Sequence, residues 1–556
     1  MQRLIRTSLA LLAAVTVPLA SCSSSSSTDN PGTGGMHASG GAGAGGQPGL
    51  GGEPGSGGAS GSGGRAGSGG SGGTGGAPGR GGSGGASASG GRSGSGGASG
   101  SGGASITGGS GVGGGVTGGS PTGGVAGTGG TAGTGGAGQP DGGVLNPTVC
   151  STGTAQSGDV TVDLSGLQQK ITGFGVSSAW AGNYANASDP DYLWSTTTGA
   201  GLTLLRIRYG DGLAIAQAAA KAGVTVWMTP WGTGSNGSPG GPFTTTQNNP
   251  NGCTSGSMPV LTNPAGLADA LVTWVQNAKS KGVPIYAVSA ANEPDSCGIN
   301  QTTSYSAAQL AAWIKVLGPA MAGIGVKVMA PETMNACGFT SYFNAIKNDS
   351  AAWDAVNIFA SHEYGCGTLP AQPSFASAGK EYWETEVDTG AGRGDSTGDG
   401  IASALPMATT LHNDLTKANL NAWHIWWLYN ASGNGGCLYD TTTKSWTKRL
   451  WVLGNYSRFV RPGFMRVSTS GSAPSGVLVS AYRNPADGTV VVVAINSNTS
   501  ATPLSLYISG VVPCSMTPWV TSAADNLAAK SAITVSDARF SATLAAQSVT
   551  SFVGKP

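Results

Sequence analysis

Glutamates stand at two places where this chain could carry out acid–base chemistry. "VSAANEPDSC" (288–297) holds Glu293 directly after Asn292, and "EYWETEVD" (381–388) holds Glu381, Glu384 and Glu386. Only 10% of the residues are charged, so an acidic run this dense inside an aromatic segment is informative. A pair of carboxylates flanking one bond suits glycoside cleavage. One is held protonated to give a proton to the leaving oxygen, and the other is ionised to attack or stabilise the anomeric carbon.

Such a pair needs elements that bring it together. Short β-branched runs alternate with helical patterns at 171–175, 202–208, 224–228, 285–291, 326–330, 356–360, 381–386 and 422–427. Amphipathic segments at 265–282 and 306–325 lie between some of them, the first with Leu267, Leu271, Trp274, Val275 and Ala278 on one stripe. Eight strands alternating with helices predict a parallel (β/α)8 TIM barrel, an α/β fold whose function sits at the C-terminal strand ends. An open doubly wound sheet is the competing topology, but no G-x-G-x-x-G follows the first strand. Glu293 then ends strand four and Glu386 ends strand seven. Strand alternation predicts Glu384 on the same side as Glu386 and one layer deeper, with Glu381 at the far end as a solvated surface charge.

The barrel and its preface span 158–464, of which 158–170 is expected to join a side domain. After residue 465 the pattern changes to short strands separated by Gly, Asn, Asp and Pro turns, which predicts a β-sandwich over 465–556. Residues 1–22 have a basic start (Arg3, Arg6), an apolar run and Leu19-Ala20-Ser21-Cys22, the pattern of a secretory signal with a lipobox whose Cys22 is lipidated. Residues 23–147 are almost wholly Gly, Ser, Ala and Thr; most of the 99 glycines lie here. That composition reads as a disordered tether with a root-mean-square span of roughly 60 Å. The expectation is an exported, monomeric lipoprotein at the bacterial cell surface or outer membrane, held through its lipid alone and possible to release as a secreted enzyme. A net charge of +1 argues against a nucleic-acid partner.

Eight motifs occur in an order that resembles glycoside hydrolase family 30, and within it the bacterial glucuronoxylanase branch. They are "GFGVSSAWAGN" (173–183), "LLRIRYG" (204–210), "MTPWG" (228–232), "YAVSAANEPD" (286–295), "SHEYG" (361–365), "YWETE" (382–386), "AWHIWW" (422–427) and "GNYSRFVRPGFMRV" (454–467). The resemblance implies a retaining enzyme with Glu293 as acid/base and Glu386, of Trp383-Glu384-Thr385-Glu386, as nucleophile. It implies sugar contacts from Trp180, Trp231, Asn292, Tyr364 and Trp427, and support from Arg206 and His362. Glu384 falls where the family has an apolar residue, and Arg208 where the branch has His; a Glu384–Arg208 pair is expected. Glucuronoxylanases carry an Arg pair after the strand-eight Trp-Trp that grips a glucuronate, whereas Asn430 stands here. The substrate implied is xylan, without strict dependence on glucuronate; β-1,6-glucan and β-1,6-galactan are the alternatives within the family. A non-catalytic carbohydrate-binding lipoprotein is the alternative of another class. The two-carboxylate mechanism requires no cofactor.

Seven cysteines follow Cys22, an odd number, so at least one is unpaired within the chain. None forms C-x-x-C, and "HEYGC" (362–366) is not H-E-x-x-H, which argues against zinc. The expected pairings on the catalytic face are Cys366 with Cys437 and Cys297 with Cys253 or Cys337. Cys150 and Cys514 are expected to clip the side domain. The long uncharged loop at 232–257 is expected to form a cleft wall.

Overall fold

The computed structural model describes residues 150, 152–231, 243–253, 257–297, 302–388, 398–430 and 436–556. The leader, Cys22, the Gly-rich stretch and most of the 232–257 loop lie outside the described residues. Among those described, no helix is long and apolar enough to cross a membrane.

Eight parallel strands close into a barrel: β1 (Gly173–Ser177), β2 (Leu204–Arg208), β3 (Thr225–Thr229), β4 (Ile285–Ser289), β5 (Lys327–Thr333), β6 (Ile358–His362), β7 (Glu381–Glu386) and β8 (Ala422–Ile425). The expected TIM architecture is therefore observed. Helices on its outside start where local chemistry permits. Pro264–Ser280 has Asn263 accepting from the Gly266 N–H and proline at its first turn. Ala307–Ala322 opens with a reciprocal Ser306–Gln309 capping box.

The barrel interior is packed by Leu204, Trp227, Ala287, Met329, Ile358, Ala360, Trp383 and Ala422. His424 stacks beside Trp383 and accepts from Trp227 Nε1 at 3.0 Å. Gly175 makes room for it, since a Cβ there would lie 2.4 Å from the His424 ring. Below this layer Glu381 closes the floor and corrects the surface expectation. It accepts from Thr172 Oγ1 at 2.6 Å and Trp383 Nε1 at 2.9 Å, and it pairs with Lys327 at 3.4 Å. A strand's first residue in a closed barrel still faces its neighbours' side chains, so Glu381 is partly solvated and partly paired rather than a free surface charge.

The second layer system is one curved sheet folded around its own core of Val160, Val162, Val492, Leu506, Phe540 and Phe552. Val160–Lys170 lies between Met465–Ser470, antiparallel, and Thr502–Ser509, parallel. The chain thus leaves this sheet, builds the barrel and returns beside its own start. Lys448–Ser457 joins the two cores: Asn455 bonds the Trp519 carbonyl and the Ser551 hydroxyl.

Disulfides link Cys150–Cys514, Cys253–Cys297 and Cys337–Cys366, leaving Cys437 free and buried. The Cys366–Cys437 expectation is overturned. Cys437 begins a strand that runs beside Trp427–Asn430 and buries the thiol, while Cys366 sits in the loop facing the start of helix Ala336–Lys347.

Candidate active site

Glu293 and Glu386 come together at the C-terminal mouth of the barrel, 6% and 5% exposed. One carboxylate oxygen of each, together with a His362 ring nitrogen, lies in a group whose atoms are all within 4.8 Å of one another. This is the one group among the described residues that could converge on a cation. Burial opposes the His362 proton, but Glu386, Glu293 and Glu332 outweigh it and raise the ring to about 10. A ring protonated on both nitrogens is a poor metal ligand.

A bulge in β7 aims Glu386. Glu384 pairs with Ser361 of β6 and Glu386 with His362, so Thr385 is the extra residue. This breaks the alternation. Trp383 faces the interior, Glu384 turns to the opposite side, and Glu386 is brought back to the mouth. The expectation of two glutamates on one side is corrected, and so is the Glu384–Arg208 pair. Arg208 bonds Asp211 at 3.2 Å and lies over the Trp180 ring. Glu384 accepts from the backbone N–H of Glu386 and of His424. Burial pushes its carboxyl well above the usual range, with Glu363 adding repulsion against those two bonds.

Arg206, at the inner face of β2, organises the Glu386 side. Its guanidinium donates to Glu386 Oε2, to Asn292 Oδ1 at 2.7 Å and to Thr229 Oγ1 at 3.1 Å, and pairs with Glu332 at 2.7 Å. Tyr364 donates to the other Glu386 oxygen at 2.9 Å. Burial raises the Glu386 pKa, while the charges of His362 and Arg206 pull it back. On the Glu293 side, His362 Nδ1 lies 3.0 Å from Glu293 Oε1. Glu293 has a left-handed backbone, φ 45°, and its N–H donates to the Glu332 carbonyl at 2.9 Å.

Aromatic rings wall the mouth. Trp180 meets Trp231, Trp426 and Trp427 edge-on, and Trp427 Nε1 donates to the Ala179 carbonyl. Trp180, Trp426 and Trp427 are partly exposed; Trp231 is buried with its ring 4.2 Å over the Arg206 guanidinium.

Sequence reasoning missed Trp426 and, more consequentially, Glu332 at the end of β5. The signal was present in "VMAPETM", an acid at a C-terminal strand end, which is the same rule that selected Glu293 and Glu386. Glu363, just past β6, was passed over too.

Residues 463–552 match the glycosyl hydrolase family 30 beta sandwich domain. The chain is 30% identical over 422 residues to glucuronoxylanase XynC of Bacillus subtilis strain 168, covering 72% of this chain and 93% of that protein. Among solved structures, a GH30 endoxylanase from Clostridium papyrosolvens C71 is similar with a TM-score of 0.61 at 30% identity, covering 72% of this chain and 100% of that one. The glycoside hydrolase family 30 subfamily 8 xylanase Xyn30A from Clostridium acetobutylicum gives 0.63 at 29%, with the same coverage.

Proposed function

The chain belongs to glycoside hydrolase family 30, and from that premise we propose that it is a retaining endo-β-1,4-xylanase that cuts xylan without requiring a glucuronate branch. The observation that carries the reading is the closeness of the Glu293 and Glu386 carboxylates, oxygens within 4.8 Å. Retaining enzymes hold their carboxyls about 5–5.5 Å apart, whereas inverting ones leave about 6.5–9.5 Å for a water. Glu386 attacks the anomeric carbon and forms a glycosyl ester while Glu293 gives its proton to the glycosidic oxygen. Glu293, now ionised, takes a proton from the water that breaks the ester. Arg206 and Tyr364 hold the attacking carboxylate, and the Asn292 amide, its oxygen occupied by Arg206, is left to donate to a substrate hydroxyl.

Similarity to a glucuronoxylanase and to two xylanases supports xylan as substrate. Asn430 supports independence from glucuronate, since an amide cannot supply the charge of a bidentate Arg. The enzyme works as a monomer on polysaccharide, tethered through Cys22 at the cell surface; residues 1–22 support that placement. Product analysis on glucuronoxylan, arabinoxylan, unbranched xylan, β-1,6-glucan and β-1,6-galactan tests the substrate, with Glu386→Gln as control. Cleavage of all three xylans irrespective of glucuronate position is expected. Cleavage of a β-1,6-glycan alone would overturn the xylanase reading, and binding of glycans without turnover would overturn catalysis.

A further inference from the structure

The mouth of the barrel holds a third carboxylate for which the two-carboxylate mechanism has no task. Glu332 is wholly buried at the end of β5, in a left-handed backbone conformation with φ 59°. Its Oε1 lies 2.7 Å from Arg206 and 3.3 Å from His362 Nε2, and Thr229 Oγ1 donates to its Oε2 at 3.1 Å. Its backbone carbonyl accepts from the Glu293 N–H. One residue therefore touches both halves of the site. It reaches the nucleophile through Arg206, and the acid/base through His362 and the main chain.

We propose that Glu332 is a positioning residue for hydrolysis, a buried anion that couples the clamp on Glu386 to the clamp on Glu293; this rests on the reading of those two residues given above. The charges close on that assignment. Arg206 and His362 supply two positive charges, and Glu332 and Glu386 two negative ones. The groups facing the His362 ring are Glu293 from the end of β4, Glu332 from β5 and Glu386 from β7. Arg206 of β2 stands behind the last two, Glu384 of β7 also feels the ring's charge, and Asp295 and Tyr364 come from the adjoining loops. With both ring nitrogens protonated, Nδ1–H donates to Glu293 Oε1 and Nε2–H to Glu332 Oε1. The ring then cannot take the Glu293 proton, which is left on Oε2 for the glycosidic oxygen. Burial opposes ionisation of Glu332, but Arg206 and then His362 overcome it and hold its carboxyl below the usual range, consistent with a permanent anion. If Glu332 is neutralised, His362 loses a counter-ion. A neutral ring offers Nδ1 as a base, and the proton needed for glycosidic cleavage moves from Glu293 to the ring.

The test follows the His362 ring directly. In the full-length protein with 15N-labelled histidine, the His362 resonances are identified by their loss in His362→Gln and titrated from pH 5 to 11. The wild-type ring is expected to remain doubly protonated past about pH 9, and Glu332→Gln to lower its midpoint by about one unit or more, the effect of removing one adjacent opposite charge. Above that lowered midpoint, Glu332→Gln is also expected to lower kcat on xylan about a hundredfold relative to wild type at the same pH, with KM within about threefold, and Glu332→Asp to recover part of the loss. An unchanged His362 midpoint in Glu332→Gln would overturn the proposal. So would a wild-type midpoint below about pH 8, which does not depend on Glu332→Gln folding. Retained turnover in Glu386→Gln with the His362 shift intact would instead sink the nucleophile assignment and leave the ion network standing.

Discussion

Glu384 and Glu386 are joined head to tail. The backbone N–H of Glu386 donates to Glu384 Oε1 at 2.6 Å, while the other Glu384 oxygen accepts the His424 N–H at 3.0 Å. A buried acid thus staples the bulge that turns Glu386 into the mouth. Both of its oxygens meet donors, so an amide in its place sets an NH2 against a backbone N–H. Glu384→Gln is expected to lose about 1–3 kcal/mol in denaturant unfolding, the cost of a buried unsatisfied donor. Its kcat should stay within about tenfold of wild type. A loss of activity as deep as that of Glu386→Gln would show that Glu384 takes part in the chemistry.

Glu386 must be ionised to attack, so the acid limb of kcat/KM follows its pKa. Burial holds that pKa up, and the positive charges of His362 and Arg206 hold it down. Removing the cation in Arg206→Met raises it further. The acid limb is expected to move to higher pH by about one to three units, so the variant loses more activity at pH 5 than at pH 8. A limb that stays in place would mean that Arg206 does not control the nucleophile's charge.

The barrel was legible because period and order are properties of the chain: eight β-branched runs, helical stripes between them and acids at strand ends. The main positional error came from one residue. Thr385 is inserted as a bulge, and no periodicity announces a bulge, so strict alternation put Glu384 on the wrong side. Glu381 was misjudged for a different reason. Its partners Thr172, Lys327 and Trp383 are brought to it only by barrel closure. Cys366 was paired with Cys437 because both follow strands at the catalytic face, yet the face has a radius and a depth that spacing does not encode. Glu332 was legible and passed over.

His412 gives the fold a pH dependence of definite sign. Burial, then Lys417 and Arg466, hold its pKa down to about 4, against 6.5 for an ordinary imidazole. As pH falls, the unfolded chain takes up the proton first. The stability conferred by the neutral buried ring is complete above about pH 6.5 and is lost between there and about pH 4, by up to about 3 kcal/mol. His424, held down to about 3 mainly by burial, acts in the same direction. Unfolding free energy measured from pH 7 to 4 is expected to fall less steeply in His412→Gln. Parallel curves would contradict the assignment.

Cys437 is the one free thiol among the described residues, and burial pushes it up to about 12. Thiolate is the reactive form. Iodoacetamide at pH 8 is expected to leave Cys437 unlabelled in the native protein and to label it on unfolding without reductant, with Cys150, Cys253, Cys297, Cys337, Cys366 and Cys514 protected. Label on Cys366 would contradict the Cys337–Cys366 pairing.

The proton NMR spectrum of the first reducing ends released from unbranched xylan tests the double displacement most directly. Attack by Glu386 and then by water inverts the anomeric carbon twice, so the β-anomer is expected to appear first and the α-anomer only by later mutarotation, with no product from Glu386→Gln. The α-anomer appearing first would mean a single displacement by water, and Glu386 would not be the nucleophile.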